Sequence, residues 1–102
     1  MIGNPKARVD NNQAQIVTAL RMAGICVTST AALGKGFPDL VCGFRGINVL
    51  LEVKCGTTPS QKTLTAAERE WHDTWGGQVA VVDSADAAIR AVVAAAQAAG
   101  KL

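Results

Sequence analysis

With 102 residues the chain is long enough for one hydrophobic core and too short for a second. Apolar residues make up 49% of it, which excludes disorder as the default state. The net charge of +2 is too small to declare a nucleic-acid partner, and no apolar run reaches the roughly eighteen residues of a membrane span.

In chain order, residues 1–9 are expected to form an irregular arm, and the opening Met1-Ile2-Gly3-Asn4-Pro5 lacks the apolar core of a signal peptide, so a cytoplasmic location is expected. Asp10 followed by Gln13 fits a capping box, and Ile16, Val17, Leu20 and Ala23 then make a helical apolar stripe that stops at Gly24. Residues 25–29 are expected as a first strand. Residues 30–38, rich in Ala and Gly and closed by Pro38, are expected as a loop. Leu40-Val41-Cys42-Gly43-Phe44 and Ile47-Asn48-Val49-Leu50-Leu51, separated by Arg45-Gly46, predict a hairpin. Both runs are apolar on both faces, so a sheet covered on both sides is expected.

Residues 56–62 form a polar loop in this reading. Thr65 and Glu68 make a second capping box, opening a helix that carries Trp71 and Trp75 and ends at Gly76-Gly77. At i, i+4 the two indoles are expected in the core rather than as base-stacking platforms. Residues 78–82 are a fourth strand, and Ser84 caps a last, Ala-rich helix with Ile89, Val92, Val93 and Ala96 on one face. The order is αβββαβα in one α/β domain of residues 1–102. Cys26, Cys42 and Cys55 are odd in number and lack C-x-x-C spacing, which fits reduced core thiols. His72, the single histidine, is expected at the surface.

The chemistry concentrates at Pro38-Asp39 and Glu52-Val53-Lys54. If Arg45-Gly46 is a two-residue turn, residues whose numbers sum to 91 are partners, and Asp39 faces Glu52 with Cβ atoms roughly 5 Å apart. Lys54 points to the same face as Glu52. Two opposed carboxylates repel, and a bound cation relieves them; Mg²⁺ suits the pair because it prefers carboxylate oxygens and keeps several waters. Lys54 beside it can orient a water or stabilise charge on a phosphate. Read plainly, Glu52 and Lys54 are instead solvated residues at a fraying strand end. Lys35, Arg45 and Lys62 fall in expected loops, where they either contact DNA phosphates or simply solubilise the chain.

The motifs G-x-P-D-L (Gly36 to Leu40), L-L-E-V-K (Leu50 to Lys54), L-T-x-x-E (Leu64 to Glu68), W-G-G (Trp75 to Gly77) and V-x-V-V-D (Val79 to Asp83) resemble the VRR-NUC family, a compact branch of the PD-(D/E)xK nuclease superfamily with stand-alone members in bacteria and phages. The resemblance runs from about residue 9 to residue 93. It implies a restriction-endonuclease-like fold with a mixed four-stranded sheet flanked by helices. It implies metal ligation by Asp39, Glu52 and the main-chain carbonyl of Val53, and a catalytic role for Lys54. The implied activity is Mg²⁺- or Mn²⁺-dependent hydrolysis of DNA phosphodiesters by a homodimer, on branched substrates such as four-way junctions. Relatives carry Glu where this chain has Gln13, and Gln where it has Glu68. Gln13 either faces the site or caps with Asp10; Glu68 either reaches the site through water or only caps. These departures keep open a second function, that of a catalytically weak DNA-binding accessory protein of recombination, repair or packaging.

Overall fold

The computed structural model describes residues 5–55, Thr58 and residues 63–102, the first seven of these by their backbone alone. Helix α1 spans Pro5–Met22, strand β1 Cys26–Ser29, β2 Leu40–Phe44 and β3 Ile47–Val53; helix α2 spans Ala66–Thr74, β4 Val79–Val82 and helix α3 Ala85–Ala98. A short 3₁₀ turn at Ala31–Leu33 lies within the long β1–β2 connection. The αβββαβα order read from the sequence is therefore the order observed.

The first helix begins earlier than its capping pattern suggests. Pro5 stands at the first helical position, where its fixed φ is already helical and its missing N–H is not needed. Asp10 and Gln13 consequently lie inside α1 and form no N-terminal cap, and only residues 1–4 of the expected arm lie outside the described residues. The helix ends as expected. Gly24 takes φ +85, Ile25 N–H returns to Leu20 O at 3.0 Å, and Gly24 N–H returns to Arg21 O at 3.0 Å. That is the double bond pattern of a Schellman cap, and its apolar partners Leu20 and Ile25 are both buried.

The sheet has the strand order β1-β2-β3-β4, antiparallel across the first three strands and parallel between β3 and β4. Arg45 (φ 52) and Gly46 (φ 83) both sit in the left-handed region, the signature of a two-residue type I′ turn. The hairpin register follows directly: Leu40 pairs with Leu51, Cys42 with Val49 and Phe44 with Ile47. The parallel step from β3 to β4 requires a crossover, which α2 supplies.

Helices α1 and α3 cover one face of this sheet. Ile16 and Leu20 from α1 and Ala88 and Val92 from α3 form a continuous core with Val27, Leu40, Cys42, Val49, Leu51, Val53 and Val82. Each fully buried aliphatic side chain contributes about 1.5–3 kcal/mol relative to exposure. The opposite face departs from the expected cover. Thr28, Asn48 and Val81 are exposed there, Val41 and Val79 are half-buried, and only the end bearing Leu50 and Glu52 is buried. The apolar residues on that face of β2 and β3 therefore do not report a second full layer. Cys26 is likewise exposed, Cys55 is half-buried, and Cys42 alone is a core thiol, its pKa pushed up to about 11 by burial. No helix among the described residues is long and apolar enough to cross a membrane.

Candidate functional site

Asp39 is fixed by bonds on every side. The hydroxyl of Thr30 donates to the Pro38 carbonyl at 2.7 Å, and Thr30 N–H donates to the Asp39 carbonyl at 2.7 Å. The Asp39 N–H crosses to Leu51 O at 3.0 Å. Leu51 is already the ladder partner of Leu40, so Asp39 and Leu40 both lie against one residue of β3, a bulge-like step at the start of β2. With the Pro38 carbonyl engaged by Thr30, Val53 N–H turns to the Asp39 side chain and donates to Oδ2 at 2.9 Å. The simple face-to-face pairing of Asp39 with Glu52 is thus modified, because the register holds through Leu40 and then slips by a bulge. The carboxyl groups still lie close enough to interact, and Asp39 helps to raise the Glu52 pKa.

Glu52 is 3% exposed, the only charged residue type among the buried residues described. Its Oε1 is buried without a hydrogen-bond partner. Burial pushes its pKa up to about 9, reinforced by the Asp39 hydrogen bond and by the negative charges of Asp39 and Glu68, with Lys54 pulling the other way. A solvated residue at a fraying strand end has neither property. β3 runs through Glu52 to Val53, pairing them with Val81 and Val82 of β4. Neighbouring groups of one residue in a strand point the same way, so the Val53 carbonyl faces the Asp39 side, as its N–H does.

Lys54 follows two residues on, and its N–H donates to Val82 O at 2.9 Å. Its ammonium meets Glu68 Oε1 at 2.6 Å, with both side chains mostly shielded from solvent. The same oxygen accepts Thr65 N–H at 2.8 Å, while Thr65 Oγ1 accepts Glu68 N–H at 3.2 Å. Glu68 therefore caps α2 and holds Lys54 at once, by a direct ion pair and not through water. Burial raises its pKa, but the Lys54 hydrogen bond, the Thr65 N–H, the Lys54 charge and a hydrogen bond from Glu52 outweigh it and leave Glu68 below the usual range. Asp39, Glu52, Lys54 and Glu68 thus form one connected cluster.

His72, one helical turn beyond Glu68, is half-buried rather than a plain surface residue. Its Nε2 is buried without a partner, and burial lowers its pKa against the attraction of Glu68 and Asp73. The i, i+4 spacing from Glu68 is the signal that would have found it.

The remaining site candidates separate. Gln13 Nε2 donates to Ser29 Oγ at 3.5 Å, which places it at the Asp39 end of the sheet, since Ser29 pairs with Leu40. Arg45 lies at the opposite end of the hairpin, its guanidinium 5.6 Å from the Phe44 ring centre. Five strand residues, about 17 Å, separate it from Asp39, so the structure does not gather it into the site. Lys35 sits at φ 56 between Gly34 and Gly36, in the loop that leads to Asp39. Lys62 lies outside the described residues. Trp71 and Trp75 are not core: α2 buries none of its residues, and Trp75 is 43% exposed.

Among the described residues no three His, Cys, Asp or Glu side chains converge as a ready-made metal cage. No family model, no curated protein and no solved structure matches the chain.

Proposed function

We propose that the chain is a metal-dependent DNA endonuclease of the PD-(D/E)xK type, in its VRR-NUC branch, hydrolysing phosphodiester bonds with Mg²⁺ or Mn²⁺. One observation carries this reading: the buried Glu52 carboxyl beside the half-buried Asp39, with one Glu52 oxygen left unpartnered and the Lys54 ammonium two residues further along the chain. A buried carboxylate oxygen without a partner costs about 1–3 kcal/mol or more, and a cation beside it removes that cost. The αβββαβα order and the mixed sheet support the same reading.

The donor set suits a hard cation. Mg²⁺ is commonly held by one or two carboxylates with waters and substrate phosphate, and needs no third acidic side chain. Asp39, Glu52 and the Val53 carbonyl would hold it. When bound, a divalent cation polarises a phosphoryl oxygen and acidifies water. The chain's own residues do the rest. Val53 N–H and the Thr30 bonds keep Asp39 in one orientation. Glu68 keeps the Lys54 ammonium over the site, where it stabilises negative charge growing on the phosphate.

A homodimer acting on branched DNA fits this reading, because a chain of 102 residues offers little surface for two arms of a junction. The half-open sheet face supplies apolar area for such a contact. Light scattering is expected to give about twice the 10.5 kDa chain mass. The decisive assay incubates the protein with labelled linear, flap and four-way-junction DNA in Mg²⁺, Mn²⁺ or EDTA. Cleavage in both metals and none in EDTA is expected; binding without cleavage in any metal would replace the enzyme with a DNA-binding accessory protein.

A further inference from the structure

Trp71 of α2 is half-buried and Trp75, which caps the helix C-terminus, is exposed; Trp71 lies about one helical turn from Glu68 of the Lys54–Glu68 pair. Trp71 and Trp75 stack with ring centres 4.5 Å apart and planes 19° from parallel. Phe37 meets Trp71 edge-on at 5.1 Å, joining the stack to the loop that carries Pro38 and Asp39. The Trp75 ring stacks on Trp71 and its Nε1 edge runs close to Gly77, where a Cβ would come within 2.8 Å of it. Yet Trp75 remains 43% exposed. Beside the stack a cavity of about 310 Å³ is lined by Lys35, Ala67, Glu70, Trp71 and Thr74.

A half-buried indole stacked on a 43% exposed one leaves apolar ring surface in water, a poor use of it unless something else stacks there. We propose that the Trp71–Trp75 stack and the adjoining cavity bind an unpaired nucleobase of a DNA strand, with Lys35 contacting its phosphate. The proposal rests on the nuclease reading for the identity of the strand, and narrows its substrate to DNA with single-stranded character beside the cut.

Three features favour this occupant. A π-face accepts any base, and stacking is worth about 1–3 kcal/mol per base. The cavity offers both polar chemistries a nucleotide needs: the Lys35 ammonium for a phosphate, and the Glu70 carboxylate as an acceptor for a base amino group. Gly34, Lys35 and Gly36 all take positive φ, at 65, 56 and 83, so Lys35 is presented from a left-handed turn, a backbone uncommon for a residue other than glycine. Along α2, Trp71 lies three residues from Glu68, about 4.5 Å of helix rise, so a base on the stack and a phosphate at Lys54 belong to neighbouring nucleotides.

The test measures binding in EDTA, so that hydrolysis plays no part. A fluorescein-labelled dT oligomer of about 12 nucleotides and a duplex of equal length are titrated by anisotropy. Wild type is expected to bind the oligomer with quenching of tryptophan fluorescence. Trp75→Ala is expected to weaken oligomer binding roughly 5- to 100-fold, and Trp75→Phe to recover most of it. Duplex affinity is expected to stay within about twofold in both. Lys35→Ala, which leaves the aromatic stack in place, is expected to weaken oligomer binding and reduce its salt slope by about one. Wild-type failure to bind the oligomer, unchanged affinity in Trp75→Ala, or an equal loss for oligomer and duplex overturns the proposal. So does a Trp75→Ala protein that halves in mass while binding the oligomer normally, because the stack would then face a second copy. Failure of the wild type to cleave DNA in Mg²⁺ refutes the nuclease reading without touching this binding result.

Discussion

Asp39 Oδ2 accepts the Val53 N–H at 2.9 Å, taking the place of the next backbone acceptor in the β2–β3 ladder. The Pro38 carbonyl is drawn away by Thr30 at 2.7 Å, so the aspartate side chain completes the sheet. One carboxylate therefore has two tasks: it ends the hairpin ladder, and it faces Glu52.

Those tasks separate by mutation. Asp39→Asn retains an oxygen for Val53 N–H and removes the negative charge beside Glu52. It is expected to abolish Mg²⁺-dependent cleavage while leaving the melting temperature without metal equal to or above wild type. Asp39→Ala removes the acceptor as well, leaving a buried N–H unpaired at a cost of about 1–3 kcal/mol. Circular dichroism melts in EDTA beside a cleavage assay separate the two. Full cleavage by Asp39→Asn would exclude the assigned site.

The Glu52 pKa of about 9 in the folded chain lies far above the ordinary value of 4.5. The folded state thus holds a proton that the unfolded chain releases. Stability is fully present below about pH 4.5 and is lost as pH rises toward 9. In EDTA the melting temperature is expected to fall across this window, and Glu52→Gln, which cannot ionise, is expected to flatten the profile. Adding Mg²⁺ at pH 8 is expected to raise the wild-type melting temperature and leave Glu52→Gln unmoved. A wild-type profile that rises with pH would contradict the buried, protonated state.

Lys54 and Glu68 are predicted to act as a unit. Glu68→Gln keeps the capping box, since glutamine can accept the Thr65 N–H, and weakens only the ionic contact. Glu68→Ala loses both. A double-mutant cycle of Lys54→Ala with Glu68→Ala, read on stability in EDTA, is expected to show about 1–2 kcal/mol of coupling for this shielded pair. In cleavage, the double variant is expected to be no slower than Lys54→Ala alone. Multiplicative losses would reduce Glu68 to a helix cap.

The hairpin register, the Thr65–Glu68 capping box and the Gly24 helix stop were legible because each is local: a turn type or a cap fixes its geometry within a few residues. The bulge at Asp39 was not, because it depends on Thr30, nine residues away, capturing the Pro38 carbonyl. The Trp71–Trp75 spacing gave the helical face but not what lies opposite it: among the described residues Phe37 meets Trp71, and Trp75 stays exposed. Asp10-x-x-Gln13 matched a cap that Pro5 pre-empts one and a half turns earlier. The Lys54–Glu68 pair joins a strand to a helix across fourteen residues and is set only by the fold.

Gly36 couples these parts. Its φ is +83, and a Cβ there would come within 2.5 Å of the Ala67 carbonyl oxygen in the first turn of α2. Ala67 precedes Glu68, and Gly36 precedes Phe37-Pro38-Asp39, so the contact sets the distance between the Asp39 loop and the residue that holds Lys54. Gly36→Ala forces either the loop or the helix to move, on top of about 1 kcal/mol or more for the left-handed backbone. It is expected to destabilise the protein by at least 2 kcal/mol (about 1 for backbone, the rest for the clash) and to remove most cleavage. Gly24→Ala is the control: Gly24 has a similar φ of +85 but open space around it, so only the backbone cost is expected, with activity kept. Equal stability losses in the two variants would show that the Gly36–Ala67 contact is not what sets the loop against α2.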